Sequence, residues 1–286
     1  MKIVRRPQTL QKILFELKRK NKPIGFVPTM GALHAGHLSL MQAARKENSI
    51  LVVSIFVNPS QFGPHEDLKR YPRPLKRDLA LCRASGVDFV FLPSPDDIYP
   101  KGFSTYVTVE GLSGLLCGKS RQNHFRGVST IVAKLFNIVC PTSAYFGQKD
   151  AQQAAIIKRM IIDLNIPVKL KVLPIVRETG GLALSSRNIY LNHAEREDAL
   201  VLSQSLDMAK QAVQKGQKNS SYIVNRVKKF IQNKGTVRID YAEVVDPEDL
   251  LPVKNITHPS LLAVAATIGK TRLIDNTVLK PKKGTF

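Results

Sequence analysis

Two kinds of apolar segment alternate along the first 176 residues of this 286-residue chain. The stretch 50–57, ILVVSIFV, is a nearly continuous apolar run, typical of a parallel strand that is covered on both faces. Similar short runs occur at 24–28, 87–92, 143–146 and 168–172. Between them, apolar residues recur with helical spacing. Strands that alternate with helices predict an α/β fold with a doubly wound parallel sheet.

The pattern changes after Arg177. Two charged helices are predicted at about 194–217 and 219–233, followed by short strands at 239–245, 261–266 and 271–274. This order is typical of an α+β domain. We therefore predict a larger domain over 1–176 and a smaller α+β domain over 177–286.

Composition excludes several classes of protein. Hydrophobic residues make up 43% of the chain and charged residues 23%, which is ordinary for a folded globular protein. No apolar run approaches the ~18 residues of a membrane helix, and the first residues do not resemble a secretory leader. The three cysteines form no CxxC pair, which argues against a disulfide framework and a thiolate zinc site. We expect a cytoplasmic protein without membrane contact.

The chain is strongly basic, with 43 Lys and Arg against 22 Asp and Glu and a net charge of +21. Such an excess is compatible with nucleic acid or with acidic small molecules as partners. The chain has no tryptophan and few aromatic residues, so no stacking platform for single-stranded nucleic acid is evident. The charge therefore favours acidic substrates, and we expect no nucleic-acid partner.

The most informative motif is PTMGALHAGH, residues 28–37, which follows a predicted strand and opens a helix. Gly31 and Gly36 permit a close approach of the backbone to a ligand, and a helix N-terminus attracts phosphate. His34 and His37 are three residues apart, so both rings lie on one face of the first turn. The pattern indicates a phosphate site, with two histidines packed in a turn as the structural alternative.

Other phosphate and metal motifs are not matched. The segment GLLCGKS at 114–120 is one residue short of a P-loop, and no GxGxxG fingerprint is present. Two histidines without a neighbouring carboxylate or thiol are too few for a zinc site.

The motif resembles the HIGH motif of the adenylating nucleotidyltransferase superfamily. Further segments narrow the resemblance to the pantoate–β-alanine ligase family: FVNPSQFG at 56–63, YPR at 71–73, HFRGV at 124–128, FGQKDAQQ at 146–153 and LSSRN at 184–188. The resemblance implies a Rossmann-like catalytic domain, a C-terminal domain that acts as a partial lid over ATP and pantoate, and a homodimer. It also implies the ATP-dependent condensation of pantoate with β-alanine through a pantoyl adenylate, with release of AMP and pyrophosphate.

Roles for individual residues follow from the resemblance. His34, His37 and Lys149 would bind the phosphates of ATP and act in catalysis, and Asp150 would hold the ribose. The remaining ATP contacts would be Met30, Gly147, Ser185, Ser186 and Arg187. Gln61, Gln153 and Asn58 would hold pantoate, and Asp78 would contact Mg²⁺. His124 and Arg126 would lie near the site or have structural roles.

The sequence departs from the family pattern at several places. Gln148 replaces the usual Glu of FGEKD, Ala151 replaces an aromatic residue, and Leu184 replaces a common Met. Lys76 and Arg77 precede Asp78 where acidic residues are common, which weakens the metal assignment. Two alternatives stay open: a nucleotidyltransferase that keeps the nucleotide in its product, and a nucleic-acid-binding protein.

Overall fold

The computed structural model describes residues 1–64 and 66–282. The strands are β1 (Lys2–Val4), β2 (Ile24–Thr29), β3 (Ile50–Ile55), β4 (Phe89–Phe91), β5 (Ser143–Gly147), β6 (Lys169–Leu173), β7 (Val237–Val245), β8 (Ser260–Ile268) and β9 (Thr271–Leu279). The helices are α1 (Pro7–Arg19), α2 (Ala35–Glu47), α3 (Leu75–Ala84), α4 (Pro95–Ile98), α5 (Cys117–Ser120), α6 (His124–Val139), α7 (Ala151–Asp163), α8 (His193–Gln214) and α9 (Ser220–Gln232). None of the described helices is long and apolar enough to cross a bilayer.

Six parallel strands form the larger sheet, in the order β1-β4-β3-β2-β5-β6. The chain runs outward from β2 through β3 to β4, and then returns to the other side of β2 for β5 and β6. This reversal makes the carboxyl ends of β2 and β5 the topological switch point, where doubly wound sheets bind ligands. The predicted α/β class is confirmed.

The chain divides into two compact units. The first comprises Met1–Gly114, Arg121–Gly147 and Ile156–Pro174. Its core is built from apolar side chains of the central strands and the helices beside them, such as Val27, Met41 and Val53, all fully buried. The near-continuous apolar run at β3 is therefore explained by burial on both faces.

The second unit contains the described part of 175–286 and two earlier segments, Leu115–Ser120 and Gln148–Ala155. Its antiparallel sheet has the order β7-β8-β9, and α8 and α9 pack with it around a core that includes Leu202, Val227 and Val264. The predicted α+β texture is confirmed.

The segment 115–120 is held in the second unit by polar contacts. The Cys117 thiol lies 3.1 Å from the Tyr241 hydroxyl and accepts a 3.4 Å hydrogen bond from Arg272. Ser120 donates to Asp240 at 3.0 Å. Burial raises the pKa of Tyr241, so its hydroxyl stays protonated.

Candidate active site

The turn after β2 is held in place by two side chains. The Thr29 hydroxyl donates to the Ser54 carbonyl of β3 at 2.8 Å and accepts from the Gly31 N–H at 3.1 Å. Gly31 has a φ of +81°, a conformation that favours glycine. Asp78 of α3 accepts the N–H groups of Ala32 at 2.8 Å and Leu33 at 2.9 Å. The backbone that leads into the two histidines is therefore fixed before any ligand binds.

Asp78, the predicted Mg²⁺ contact, is buried against the turn after β2. The residue is 1% exposed, and each carboxylate oxygen accepts a backbone N–H of the turn. A magnesium ligand needs an oxygen that can face a hydrated ion. In the part of the chain that the structure describes, no three His, Cys, Asp or Glu side chains converge as a metal-binding group. Both carboxylate oxygens of Asp78 thus support the turn, and its contact with Mg²⁺ stays a prediction.

His34 and His37 form a reciprocal cap at the start of α2. The Gly36 N–H donates to Nδ1 of His34 at 3.2 Å, and the His34 N–H donates to Nδ1 of His37 at 3.3 Å. Because both Nδ1 atoms accept, each neutral ring carries its proton on Nε2. The ring centroids are 4.1 Å apart. The turn thus supplies two Nε2–H donors beside the positive end of a helix dipole.

The segment after β3 presents Gln61 beside Met30. Gln61 is 9% exposed, and its Oε1 accepts from Asn58 Nδ2 at 3.0 Å. Because Oε1 faces Asn58, the Nε2 group of Gln61 faces Met30 and donates to its Sδ atom at 3.3 Å. The structure therefore brings together Met30, Gln61 and Asn58, as the sequence predicts.

Asn58, a predicted pantoate contact, forms several hydrogen bonds within the protein. It is 1% exposed, and its Nδ2 donates to both Gln61 Oε1 and the Gly127 carbonyl. Its Oδ1 accepts from the Tyr99 hydroxyl at 2.7 Å and from the Ser60 hydroxyl at 2.9 Å. All four hydrogen-bonding positions of this amide are used within the protein. Asn58 therefore orients Gln61 by a hydrogen bond, and its predicted contact with pantoate stays a prediction.

His124 also supports Gln61. Its Nδ1 lies 2.7 Å from the Gln61 carbonyl, which only accepts, so Nδ1 carries the proton and Nε2 accepts from Arg121 at 3.0 Å. Glu66 holds Arg121 by a 2.8 Å hydrogen bond to Nε. Arg126 lies 3.8 Å above the Tyr106 ring. His124 and Arg126 thus have structural contacts, and the sequence analysis missed Arg121 because its acidic partner, Glu66, is 55 residues away along the chain.

Gly147 ends β5, and the 3-10 turn Gln148–Asp150 follows it. The Lys149 side chain is 20% exposed and its Nζ lies 3.7 Å from Asp150 Oδ1, while the Asp150 side chain is 47% exposed. Lys149 and Asp150 are therefore accessible charged groups on the turn that follows β5. They belong to the second unit, whereas Gly147 belongs to the first.

The two consecutive glutamines of α7 differ in their surroundings. Gln152 is 6% exposed, accepts from the Cys117 N–H at 3.0 Å and donates to the Leu115 carbonyl at 2.6 Å. Gln153 is half-buried. Gln152 is thus a structural tie to the segment 115–120, and Gln153 is the one whose exposure suits a substrate contact.

The predicted Ser185–Arg187 segment lies at the start of a 3-10 helix, Ser186–Tyr190. The Ser185 hydroxyl accepts from the Arg187 N–H at 3.2 Å, and Ser186 and Arg187 are half-buried. The buried Asn188 amide donates to Glu178 at 2.9 Å and to the Ala183 carbonyl at 3.1 Å. The side chains of 185–187 are thereby presented on an ordered turn.

Glu178 is the centre of that arrangement. Besides Asn188 it accepts a hydrogen bond from Arg196. Burial would raise the pKa of Glu178, but the hydrogen bonds from Arg196 and Asn188 outweigh it and hold the pKa below its ordinary value. Glu178 therefore stays ionised at neutral pH and keeps its partners in place.

Comparison with known proteins gives the family. The pattern of a family described as pantoate-beta-alanine ligase matches residues 2–278. The pantothenate synthetase of Thermosipho africanus (strain TCF52B) is 53% identical over 279 residues, which cover 98% of this chain and 100% of the relative.

Solved structures agree with this match. The crystal structure of pantothenate synthetase from Thermus thermophilus superposes with a TM-score of 0.94 at 43% identity, over 98% of this chain and 100% of that one. The pantoate-beta-alanine ligase of Francisella tularensis, solved with beta-gamma ATP and beta-alanine, has a TM-score of 0.81 at 35% identity over 99% of each chain. This chain is an enzyme of the pantoate–β-alanine ligase family.

Proposed function

We propose roles for individual residues in the reaction of this ligase, which condenses pantoate with β-alanine and converts ATP to AMP and pyrophosphate through a pantoyl adenylate. The pantoate carboxylate attacks the α-phosphate of ATP. Negative charge then grows on the non-bridging oxygens and on the departing pyrophosphate. Donors and cations that are already positioned stabilise that charge most effectively.

The observation that carries the proposal is the state of the two histidines. His34 and His37 both accept backbone N–H groups at Nδ1, which leaves the ring proton on Nε2. We infer that these Nε2–H groups donate to ATP phosphate oxygens at the N-terminus of α2. Lys149 adds a point charge to a phosphate, and Ser185, Ser186 and Arg187 hold the pyrophosphate as it leaves.

Pantoate is the proposed partner of the two glutamines. The Gln61 Nε2 group donates to the substrate, because Asn58 occupies its Oε1. Gln153 supplies a second amide, while Met30 and Gly147 lie against the nucleotide and Asp150 binds the ribose. We keep Mg²⁺ as a predicted companion of the ATP phosphates, with Asp78 as its predicted contact. The lid role of the C-terminal domain and the cytoplasmic location also stay predictions.

Product analysis tests the reaction. We expect AMP and pyrophosphate to form only when pantoate is present, and turnover to increase when β-alanine is added, because the amine removes the bound adenylate. Chromatography of the nucleotide products with and without each substrate provides the measurement. Release of ADP, or a product that retains the nucleotide, would contradict the proposal and favour another nucleotidyltransferase.

We also propose a homodimer, supported by apolar residues at one edge of the larger sheet. β6 is an edge strand, and Val172 on it is 39% exposed; Ile162 and Leu164, which precede it, are each 55% exposed. Light scattering is expected to give twice the chain mass of 31.8 kDa. Replacing Ile162 and Leu164 by Lys should shift the particle towards the monomer mass, since buried charge opposes association. A monomer mass for the unmodified chain at micromolar concentration would exclude the dimer.

A further inference from the structure

Two adjacent polar residues are buried in the middle of β9. Asp275 is 3% exposed and Asn276 is 4% exposed, and the strand pairs along its length with β8. Buried polar side chains are almost always hydrogen-bonded, and their partners indicate why they are there. Neither residue was singled out by the sequence analysis.

Asn276 holds the turn that carries Lys149. Its Nδ2 donates to the Gln148 carbonyl at 2.9 Å and to the Lys149 carbonyl at 3.0 Å. These carbonyls belong to the two peptide planes that flank the Lys149 Cα atom. With both planes fixed, the direction of the Lys149 Cα–Cβ bond is fixed as well.

Gln148 completes the arrangement. Its Nε2 donates to Asn276 Oδ1 at 3.2 Å, while Asn276 Nδ2 donates to the Gln148 main-chain carbonyl, so the two residues are linked in both directions. A glutamate at this position, which is the more usual residue in the family, has no proton to donate and would bring a carboxylate against a carbonyl oxygen. The side-chain amide of Gln148 thus complements Asn276 Oδ1 in this chain.

Asp275 anchors Asn276 in turn. The two carboxylate oxygens accept from Arg177 at 2.6 Å and 2.9 Å, and Oδ1 also accepts from the Asn276 N–H at 2.8 Å. Such bidentate pairs constrain geometry strongly. Arg177 also donates to the Gly181 carbonyl at 3.0 Å, so the same pair supports the loop that leads to Ser185.

We propose that Asn276, paired with Gln148, is a positioning residue for the adenylation step, because it directs the Lys149 ammonium group towards the phosphates of ATP. This inference rests on the proposed role of Lys149. Asn276 does not touch the substrate in this proposal; it acts only through the backbone of the turn. Its effect should therefore be confined to the step in which Lys149 acts.

The two half-reactions separate positioning from general damage. Asn276→Ala is expected to slow pantoate-dependent pyrophosphate release on the order of tenfold or more, because the loss of two backbone hydrogen bonds frees the turn. The reaction of supplied pantoyl adenylate with β-alanine should stay within about twofold of wild type, since the pyrophosphate has already left. An equal decrease in both half-reactions would overturn the proposal.

A double-mutant cycle with Lys149→Ala gives the second readout. If Asn276 acts through Lys149, then Asn276→Ala should change the adenylation rate of the Lys149→Ala enzyme by less than about twofold. If Asn276→Ala slowed adenylation by the Lys149→Ala enzyme as much as it slows the wild type, the inference would be overturned and the role of Lys149 would stay intact. Wild-type adenylation by Lys149→Ala alone would instead show that the proposed function of Lys149 is wrong.

If Asn276→Ala does not fold, Gln148→Glu provides a second variant for the same test. Gln148 is half-buried and the change replaces its side-chain NH₂ group by an oxygen of similar size, so the melting temperature should change little. We expect adenylation to slow on the order of fivefold, which is the effect of one lost hydrogen bond, with aminolysis unchanged. Thr277→Val, at the next position of β9 and on the opposite face of the strand, is the matched control and should behave as wild type. An unchanged adenylation rate in Gln148→Glu would overturn the proposal that the pair of Gln148 and Asn276 positions Lys149.

Discussion

Replacing His37 by Ala is expected to slow adenylation on the order of 10²- to 10³-fold, which is the usual effect of removing one donor that stabilises transition-state charge. The His37 ring is aligned in advance, because its Nδ1 accepts the His34 N–H. The change removes the Nε2–H donor and also one half of the reciprocal cap of α2. Single-turnover formation of pyrophosphate from ATP and pantoate gives the rate directly.

Two variants separate these contributions. His37→Gln restores an amide donor and should recover part of the lost rate. Ser39→Ala is the matched control in the same turn, since the Ser39 hydroxyl donates to the Gly36 carbonyl within the helix. It should reduce adenylation by less than about threefold, which corresponds to the loss of one intrahelical hydrogen bond. A His37→Ala enzyme with the rate of Ser39→Ala would exclude a phosphate-binding role for His37.

Gly127→Ala is expected to destabilise the protein and to weaken pantoate binding together. A Cβ atom on Gly127 would lie 2.3 Å from the Ser60 carbonyl oxygen and 2.7 Å from the Gln61 Cα atom. Because both obstacles are backbone atoms, α6 and the segment 58–61 must move apart. Overpacking of this kind costs about 1–3 kcal/mol, and a chain of this size would melt roughly 2–5 °C lower. The displacement would also move Gln61, so the KM for pantoate should rise more than the KM for ATP.

Gly114→Ala is the control for this substitution. A Cβ atom on Gly114 would meet no atom of the described chain within 4 Å, so the melting temperature should stay level or rise slightly. Calorimetry and initial-rate measurements on the two alanine variants provide the comparison. If Gly127→Ala had the same melting temperature as Gly114→Ala and kept the wild-type KM for pantoate, the close approach of α6 to Ser60 would be absent in solution.

Local patterns were sufficient to predict most of the larger sheet. The apolar runs at β2, β3 and β5 and the helices between them lie within a few residues of their predicted positions, because continuous burial leaves a clear hydrophobic signal. β1 was not predicted, since it has three residues and only Val4 is buried. A strand that short is defined by its pairing with β4, which is a tertiary contact.

The site residues illustrate the same limit. The histidine motif was recognisable because its parts lie together in the sequence, and the reciprocal cap of α2 connects residues three apart. The hydrogen bonds of Asn58 and Asp78 were not recognisable in this way. Asn58 contacts Tyr99, which is 41 residues away, and Asp78 accepts a hydrogen bond from a backbone N–H 46 residues away. Asn276 lies 127 residues from Lys149. Such contacts decide whether a polar side chain is available to bind the substrate or stabilises the fold, and the spacing of residues in the sequence does not show them.

The assembly of the second unit from separated segments has a consequence for synthesis on the ribosome. The stretches Leu115–Ser120 and Gln148–Ala155 leave the exit tunnel well before β9, which supplies Arg272 and Asn276 to them. Until β9 has been synthesised, Cys117 and the carbonyls beside Lys149 lack these partners. A nascent chain halted before β9 should therefore carry a formed larger sheet and an unfinished turn at Lys149, and we expect adenylation to be slow until β9 has folded.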